Sequence, residues 1–190
     1  MMERIVLASG SPRRKQLLEW AEVDFEVIVA DTAETYPTGL PVGLVPVHIA
    51  RNKALAVKKR LATERIVLAA DTVVVLEGDI IGKPRDRDDA ISILMRLAGN
   101  QHEVITGVIL SKGNQEVAFA DSTAVWFHEL TKAQIEAYVD KYRPYDKAGA
   151  YAIQEWIGVV GIRGIEGDFY NVMGLPVSRV VQELAQFGEL

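Results

Sequence analysis

The sequence contains no cysteine, which excludes disulfide bonds, thiolate metal sites and a cysteine nucleophile. Any metal ion would therefore be held by oxygen ligands or by the three histidines. No apolar run approaches the roughly 18 residues that a membrane span needs. The N-terminus, Met1-Met2-Glu3-Arg4 followed by a short apolar stretch, is too short and too polar for a signal peptide. We therefore expect a cytoplasmic protein.

Two common nucleotide-binding motifs are also missing. The chain has no glycine-rich loop of the Walker type and no G-x-G-x-x-G after a strand, which argues against a standard NTPase or dinucleotide-binding protein. The net charge of −5 argues against sequence-independent nucleic-acid binding, and aromatic residues at only 7% disfavour an RNA-binding domain. A small anionic ligand needs only a local basic cluster and stays compatible with this composition.

The remaining composition is that of an ordinary globular protein, with 49% apolar and 25% charged residues. A length of 190 residues suits one large domain or two small lobes that share a sheet. Strand and helix patterns alternate in the first part of the chain, and hairpin patterns follow. This order predicts an α/β fold with a mixed sheet.

The most informative stretch is Leu7-Ala8-Ser9-Gly10-Ser11-Pro12-Arg13-Arg14-Lys15, which follows a short apolar run. It predicts a strand, a turn and a helix that begins at Pro12 with Ser11 as its cap. Three cations then fall in the first helical turn, where the backbone dipole is already positive and each added cation is unfavourable. Two interpretations fit: a phosphate site that includes Ser9, Arg13 and Arg14, or a solvated basic helix end.

Two later predicted strands end in acidic residues. The strand at 25–29 leads to Ala30-Asp31-Thr32-Ala33-Glu34, and the strand at 66–70 leads to Asp71-Thr72. Because apolar residues flank Asp71 on both sides, its carboxylate must be paired, hydrated at a strand bend, or functional. Ligands of open α/β sheets bind at the carboxyl ends of strands, so these loops are expected to meet in one cleft, with Lys83 close by across a hairpin. Such a cleft suits a metal-bound polyphosphate.

Other patterns predict the rest of the fold. They are a loop at 36–46, helices at 47–61, 88–97 and 131–142, paired strands at 102–110 and 116–127, a loop and strand at 165–173, and a terminal helix at 176–185. The third of these helices carries a capping box, Thr131 with Gln134. The pattern at 155–162 fits helix and strand equally.

Five ordered motifs make the chain recognisable: Leu7-Ala8-Ser9-Gly10-Ser11-Pro12-Arg13-Arg14, Ala70-Asp71-Thr72, Gly82-Lys83-Pro84, Lys147-Ala148-Gly149-Ala150-Tyr151-Ala152-Ile153-Gln154 and Asn171-Val172-Met173-Gly174-Leu175-Pro176. Together they resemble the Maf family of nucleoside triphosphate pyrophosphatases, from the first strand to the last helix. The resemblance implies a single domain over residues 1–190 with a fold like that of the inosine triphosphate pyrophosphatases: a mixed twisted sheet flanked by helices, in two lobes around a central cleft. It also implies a homodimer, a divalent cation (Mg²⁺ or Mn²⁺) and hydrolysis to a nucleoside monophosphate and pyrophosphate.

The same resemblance suggests the substrate. Arg13, Thr72 and Gln154 match the branch of the family that acts on dTTP and UTP, whereas the branch that acts on 7-methyl-GTP has tryptophan at the first position and glutamate at the last. A glutamine amide offers one donor and one acceptor, which fits N3–H and the adjacent carbonyl of uracil or thymine. Glu155 follows Gln154 where many members of the family have glycine.

Residue roles follow from the resemblance. Asp71 would be the general base that activates water for attack on the α-phosphorus, with a metal ligand or a strand-end cap as alternatives. Ser9, Arg13, Arg14, Lys53 and Lys83 would contact the triphosphate, although a lysine on an amphipathic helix such as Lys53 is usually solvated. Glu34, with Asp71, would be a metal ligand or would orient water, unless it is an ordinary loop acid. Lys147 and Tyr151 would shape the base pocket, unless Tyr151 belongs to the core.

The expected function is therefore metal-dependent hydrolysis of dTTP and UTP, which would clear such nucleotides, including modified pyrimidine nucleotides, from the pool. A different class of function is also open. The chain could be a nucleotide-binding regulatory protein that inhibits septum formation and cell division without turnover.

Overall fold

The structure is a computed structural model that describes residues 4–187. Its seven strands are β1 (Ile5–Leu7), β2 (Phe25–Val27), β3 (Val67–Leu76), β4 (Asp79–Ile81), β5 (Gln101–Lys112), β6 (Gln115–Phe127) and β7 (Ile162–Glu166). Its seven α-helices are α1 (Pro12–Trp20), α2 (Val45–Lys58), α3 (Arg87–Leu97), α4 (Lys132–Tyr142), α5 (Trp156–Gly161), α6 (Phe169–Met173) and α7 (Val177–Ala185). The predicted α/β class is confirmed.

All seven strands belong to one mixed sheet. Its order is β2-β1-β3-β5-β6-β7, and β4 pairs with β3 outside this path. β1 runs parallel to both β2 and β3, whereas β4 and β7 pair antiparallel with their neighbours. The parallel part therefore lies where strands and helices alternate in the chain, because a parallel connection requires a crossover.

The chain divides into two compact units. Among the described residues, unit 1 contains 4–72, 106–121 and 174–187, and unit 2 contains 73–105 and 122–173. The core of unit 1 packs one face of α2, formed by Val47, Ala50, Ala54 and Val57, against β1, β3 and β5. These four residues recur at the helical period, so they form one apolar stripe.

Local signals placed most of the elements correctly. Pro12 is the first residue of α1, and Thr131 and Gln134 form the predicted capping box of α4. The prediction for 165–173 was wrong, because the strand runs earlier, at Ile162–Glu166, and Phe169–Met173 is a short helix. Helix α2 begins at Val45, inside the predicted loop. β3 continues without interruption through Asp71 and Thr72, because both residues find polar partners within unit 1.

Candidate functional site

A lysine joins two carboxylates in unit 1. Lys53 Nζ donates hydrogen bonds to Asp71 Oδ1 at 2.7 Å and to Glu34 Oε1 at 2.9 Å. Asp71 is 92% buried, while Glu34 lies in an exposed loop. The buried carboxylate is thus paired with a cation, which offsets the cost of removing it from water.

The packing of α2 explains why Lys53 reaches Asp71. Side chains alternate along a strand, so Asp71 lies on the same face of β3 as Val67 and Ala69, the face that α2 covers. Close approach is possible because β5 has a glycine there. A Cβ atom at Gly107 would lie 2.2 Å from the backbone nitrogen of Val47, at the start of α2.

The neighbouring residue, Thr72, lies on the opposite face and contacts Arg14. Arg14 is 92% buried, and its guanidinium uses all three of its nitrogens. Nε donates to Gly174 O at 2.8 Å, Nη1 to Ser9 Oγ at 3.0 Å and Nη2 to Thr72 Oγ1 at 3.0 Å. Arg14 therefore ties together three segments that are far apart in sequence.

The Arg14 guanidinium has charged neighbours of both signs. Burial lowers the pKa of Arg14 from its ordinary value, and the nearby cation of Arg13 lowers it further. The carboxylates of Asp71 and Glu34 act in the opposite direction. Arg13 and Asp71 therefore lie within electrostatic range of the same guanidinium, as a shared polar site requires.

The turn before α1 is held by Ser9. Its hydroxyl accepts hydrogen bonds from Arg14 Nη1 and from the backbone N–H of Ser11 at 3.3 Å. Ser11 occupies the predicted N-cap position, but its side chain makes no capping hydrogen bond. The predicted phosphate contacts of Ser9 and Arg14 stay predictions, and the structure adds that both residues organise the turn itself.

The hydrogen-bond network around Arg14 and Thr72 includes two residues for which the sequence predicted no role. Thr106, fully buried, lies 2.9 Å from Thr72 through their hydroxyl oxygens, and the carbonyl of Gly174 accepts from Arg14. Gly174 has a φ of +123°, a conformation that favours glycine. Its place in the motif Asn171-Val172-Met173-Gly174 was the available signal, whereas nothing local marks Thr106.

The other predicted site residues lie in unit 2. Lys83 is exposed and follows Gly82, whose carbonyl accepts from the N–H of Gly149 at 3.2 Å. Gly149 has a φ of +69°, and a Cβ atom there would lie 2.9 Å from Val74. Lys147 Nζ lies 2.8 Å from Asp146 Oδ1, and its side chain is largely buried. The backbone next to Lys83 is thus joined to the segment that carries Lys147.

Gln154 lies in a tight turn of residues 152–155, here named the Gln154 turn. The N–H of Glu155 donates to Ala152 O at 3.1 Å and closes the turn. Residues 151–153 are buried, whereas Gln154 is exposed and lines a cavity of about 340 Å³ together with Ile153, Ile165 and Phe169. Glu155 has a φ of −91°, so the backbone there does not require a glycine.

Tyr151 is a buried core residue with a polar contact. Its hydroxyl lies 2.7 Å from Nε2 of His102, and both rings pack edge to face with Phe127. Burial lowers the pKa of His102 to about 4 and raises the pKa of Tyr151. Both side chains are therefore neutral around pH 7.

The carboxylates of Glu34 and Asp71 are hard oxygen donors of the kind that suits a divalent cation. Glu34 and Asp71 both contact one cationic group, Lys53 Nζ, and Mg²⁺ commonly uses one or two carboxylates together with substrate phosphates. Within residues 4–187, no group of three or more His, Asp or Glu side chains is arranged to hold a metal ion. The protein alone would therefore supply only part of the coordination. In the same range, no helix is long and apolar enough to cross a membrane.

These features define an α/β protein with a buried acid, a bridging lysine and an arginine cluster beside a central strand. The fold is similar to that of the Ham1 protein of Staphylococcus aureus, with a TM-score of 0.55 and 19% identity over 98% of this chain and 100% of that one. It is also similar to a HAM1 protein from Coxiella burnetii, with a TM-score of 0.57 and 15% identity over 97% of this chain and 100% of that one.

The chain belongs to the Maf-like protein family, whose model matches residues 4–187. Among its relatives, a dTTP/UTP pyrophosphatase of Cytophaga hutchinsonii is 48% identical over 95% of this chain and 82% of that protein. Proteins of the same name from Parabacteroides distasonis and Porphyromonas gingivalis W83 are 46% and 47% identical, covering 97% and 98% of this chain and 96% and 95% of theirs.

Proposed function

We propose that this protein is a nucleoside triphosphate pyrophosphatase that hydrolyses dTTP and UTP to the monophosphate and pyrophosphate. The observation that carries the proposal is the pairing of buried Asp71 with Lys53, beside the Arg13 and Arg14 cations. The names of the relatives support the substrate class. A site with one buried carboxylate and several cations suits the attack of water on a phosphorus atom that carries a polyphosphate leaving group.

In the proposed reaction, Asp71 accepts a proton from water as the water oxygen bonds to the α-phosphorus. The bond from that phosphorus to the bridging oxygen breaks, and pyrophosphate leaves. Lys53 holds Asp71 in place before substrate arrives and donates to phosphate oxygens afterwards, and Arg13 offsets the charge of the leaving group. Arg14 keeps Ser9 and Thr72 in position through its hydrogen bonds.

The cation requirement is part of the proposal. Glu34 and Asp71 would hold Mg²⁺ or Mn²⁺, which when bound would neutralise charge on the triphosphate. Lys83, exposed in unit 2, is proposed to contact phosphate, and Gln154 to recognise the base. The cavity beside Gln154, at about 340 Å³, lies within the roughly 300–1,000 Å³ range of small-molecule sites.

The test is pyrophosphate release from a panel of dTTP, UTP, CTP, GTP, 7-methyl-GTP and ATP, with Mg²⁺, Mn²⁺ or EDTA. We expect turnover of dTTP and UTP that EDTA abolishes. Tight binding of these nucleotides without release of pyrophosphate would instead favour the regulatory role in cell division. Preference for 7-methyl-GTP would contradict the substrate assignment while leaving the reaction class intact.

A further inference from the structure

Gln154 is the one exposed residue in a stretch that is otherwise packed. Residues 149–153 are all buried, and Ile157 beyond the turn is fully buried. Gly158 contributes to this packing, because a Cβ atom there would lie 1.7 Å from the carbonyl oxygen of Ile153. The backbone around Gln154 therefore has little freedom to move, while its side chain faces outward.

Each end of the turn is tied to a different part of unit 2 by a tyrosine hydroxyl. Before the turn, the hydroxyl of Tyr151 bonds with Nε2 of His102, on β5. After it, the hydroxyl of Tyr138, on α4, donates to Glu155 Oε2 at 2.5 Å. Tyr138 is 99% buried, and Lys147 Nζ lies 3.8 Å from the same carboxylate.

The strength of these two contacts depends on the side chains that make them. Hydrogen bonds to a carboxylate are stronger than neutral ones, so Glu155 forms a firmer attachment than most residues at that position would. Its side chain is 21% exposed, so the carboxylate keeps partial access to water. The bond of Tyr151 to His102 does not change with pH near neutrality, because His102 is buried and uncharged there.

We propose that the two tyrosine hydrogen bonds, one at each end of the Gln154 turn, are positioning contacts that hold the backbone of Gln154 where its side chain can reach a pyrimidine base. This inference rests on the proposed function. An amide pairs with the N3–H and the adjacent carbonyl of uracil only from one distance and angle, and the position of the Gln154 Cα atom sets how well its side chain can reach them. Fixing the turn therefore fixes the point from which the Gln154 side chain reaches the base.

The test measures kcat and KM for UTP and CTP with wild-type protein and with Tyr138→Phe, which deletes only the hydroxyl. We expect the ratio of kcat/KM for UTP to that for CTP to fall about 3- to 10-fold, the range for one lost hydrogen bond. The loss should be mostly in KM for UTP. Glu155→Gln keeps a hydrogen-bond acceptor for the Tyr138 hydroxyl and should retain most of the ratio of kcat/KM for UTP to that for CTP. Glu155→Ala removes the acceptor, so this ratio should fall as it does in Tyr138→Phe.

Tyr142→Phe is the matched control, since Tyr142 lies on the same helix and its ring stacks on Tyr138 at 4.9 Å. It should leave the ratio unchanged. Amide hydrogen exchange of Glu155 and Gly158 gives a readout independent of turnover, because their N–H groups bond to Ala152 O and Glu155 O. Both amides should exchange faster in Tyr138→Phe than in Tyr142→Phe.

A double-mutant cycle with Gln154→Ala identifies the route of the effect. If Tyr138 acts through Gln154, Tyr138→Phe should cause no further loss of discrimination when Gln154 is already alanine. An equal loss in both backgrounds, or an unchanged ratio in Tyr138→Phe and Tyr151→Phe alike, would overturn the inference. If the wild type does not distinguish UTP from CTP, the substrate assignment in the proposed function is contradicted. Hydrogen exchange then still measures whether the Tyr138 hydroxyl restrains the Gln154 turn.

Discussion

Lys53 Nζ lies 2.7 Å from Asp71 Oδ1 and forms a hydrogen-bonded ion pair with it in the interior of unit 1. The same ammonium group contacts Glu34, so two carboxylates share one lysine. This arrangement pairs the buried acid with a cation of the chain itself. It also makes the lysine and any divalent cation alternative partners for the same oxygens.

The first prediction concerns Asp71 as general base. Asp71→Asn should lower kcat by about 10²- to 10⁴-fold, the usual contribution of a positioned base. The amide oxygen can still accept from Lys53, so the melting temperature should change little. Steady-state kinetics and thermal unfolding measure both effects, and near-normal turnover would show that Asp71 is not the base.

The second prediction concerns Lys53 and the cation. Lys53→Met should raise the affinity for Mn²⁺ without nucleotide by about 10-fold, because a unit charge at contact distance contributes on the order of 1 kcal/mol or more. Titration calorimetry or the electron paramagnetic resonance signal of free Mn²⁺ measures this directly. In the same variant turnover should fall, since the proposed phosphate contact of Lys53 is lost. Mn²⁺ affinity equal to or below that of the wild type would contradict the shared use of these carboxylates.

The third prediction separates two adjacent arginines. Arg14→Lys should lower the free energy of unfolding by about 2–4 kcal/mol, because an ammonium group cannot reproduce three hydrogen bonds to three different segments. Arg13→Lys, its half-buried neighbour, should cost less than about 1 kcal/mol but reduce activity. Urea unfolding of both variants checks the contrast. Equal stabilities would mean that the buried guanidinium does not hold Ser9, Thr72 and Gly174 together.

The fourth prediction concerns pH. His102 has a pKa of about 4 in the fold, below the ordinary value of 6.5, so the unfolded chain binds the proton more readily between these values. The contribution of His102 to the free energy of unfolding is therefore fully present above pH 6.5. It is lost as the pH falls toward 4, by roughly 3 kcal/mol in total. Chemical unfolding at several pH values between 4 and 7 should show the free energy of unfolding decreasing as the pH is lowered.

The pH dependence of the free energy of unfolding has a matched control. It should be weaker in His102→Phe, whatever the absolute stability of that variant. It should be unchanged in His128→Asn, because His128 is exposed. An equal slope in wild type and His102→Phe would assign the acid sensitivity to other groups.

The fifth prediction tests base recognition. Gln154→Glu should reduce kcat/KM for UTP and dTTP by about 10- to 100-fold, since a carboxylate cannot donate to a pyrimidine carbonyl and a bidentate contact contributes roughly 1–3 kcal/mol. Kinetics across the nucleotide panel measure it. An unchanged kcat/KM for every base would remove Gln154 from recognition.

Local chemistry in the sequence was sufficient for most of the elements. Pro12 begins α1 because its fixed φ suits the first helical position, and the Thr131 capping box begins α4. The segment 165–173 was misread because its helix has only five residues, too few to show a helical period.

What the sequence by itself determined is the α/β class, the start of most helices and the types of residue available for phosphate chemistry, because these depend on neighbours along the chain. Only the tertiary structure decided that Lys53 reaches Asp71 and Glu34, that Arg14 is buried against Gly174, and that Tyr138 holds Glu155. Each of these contacts joins residues of different elements, and the packing of those elements, such as α2 against Gly107, sets which side chains meet.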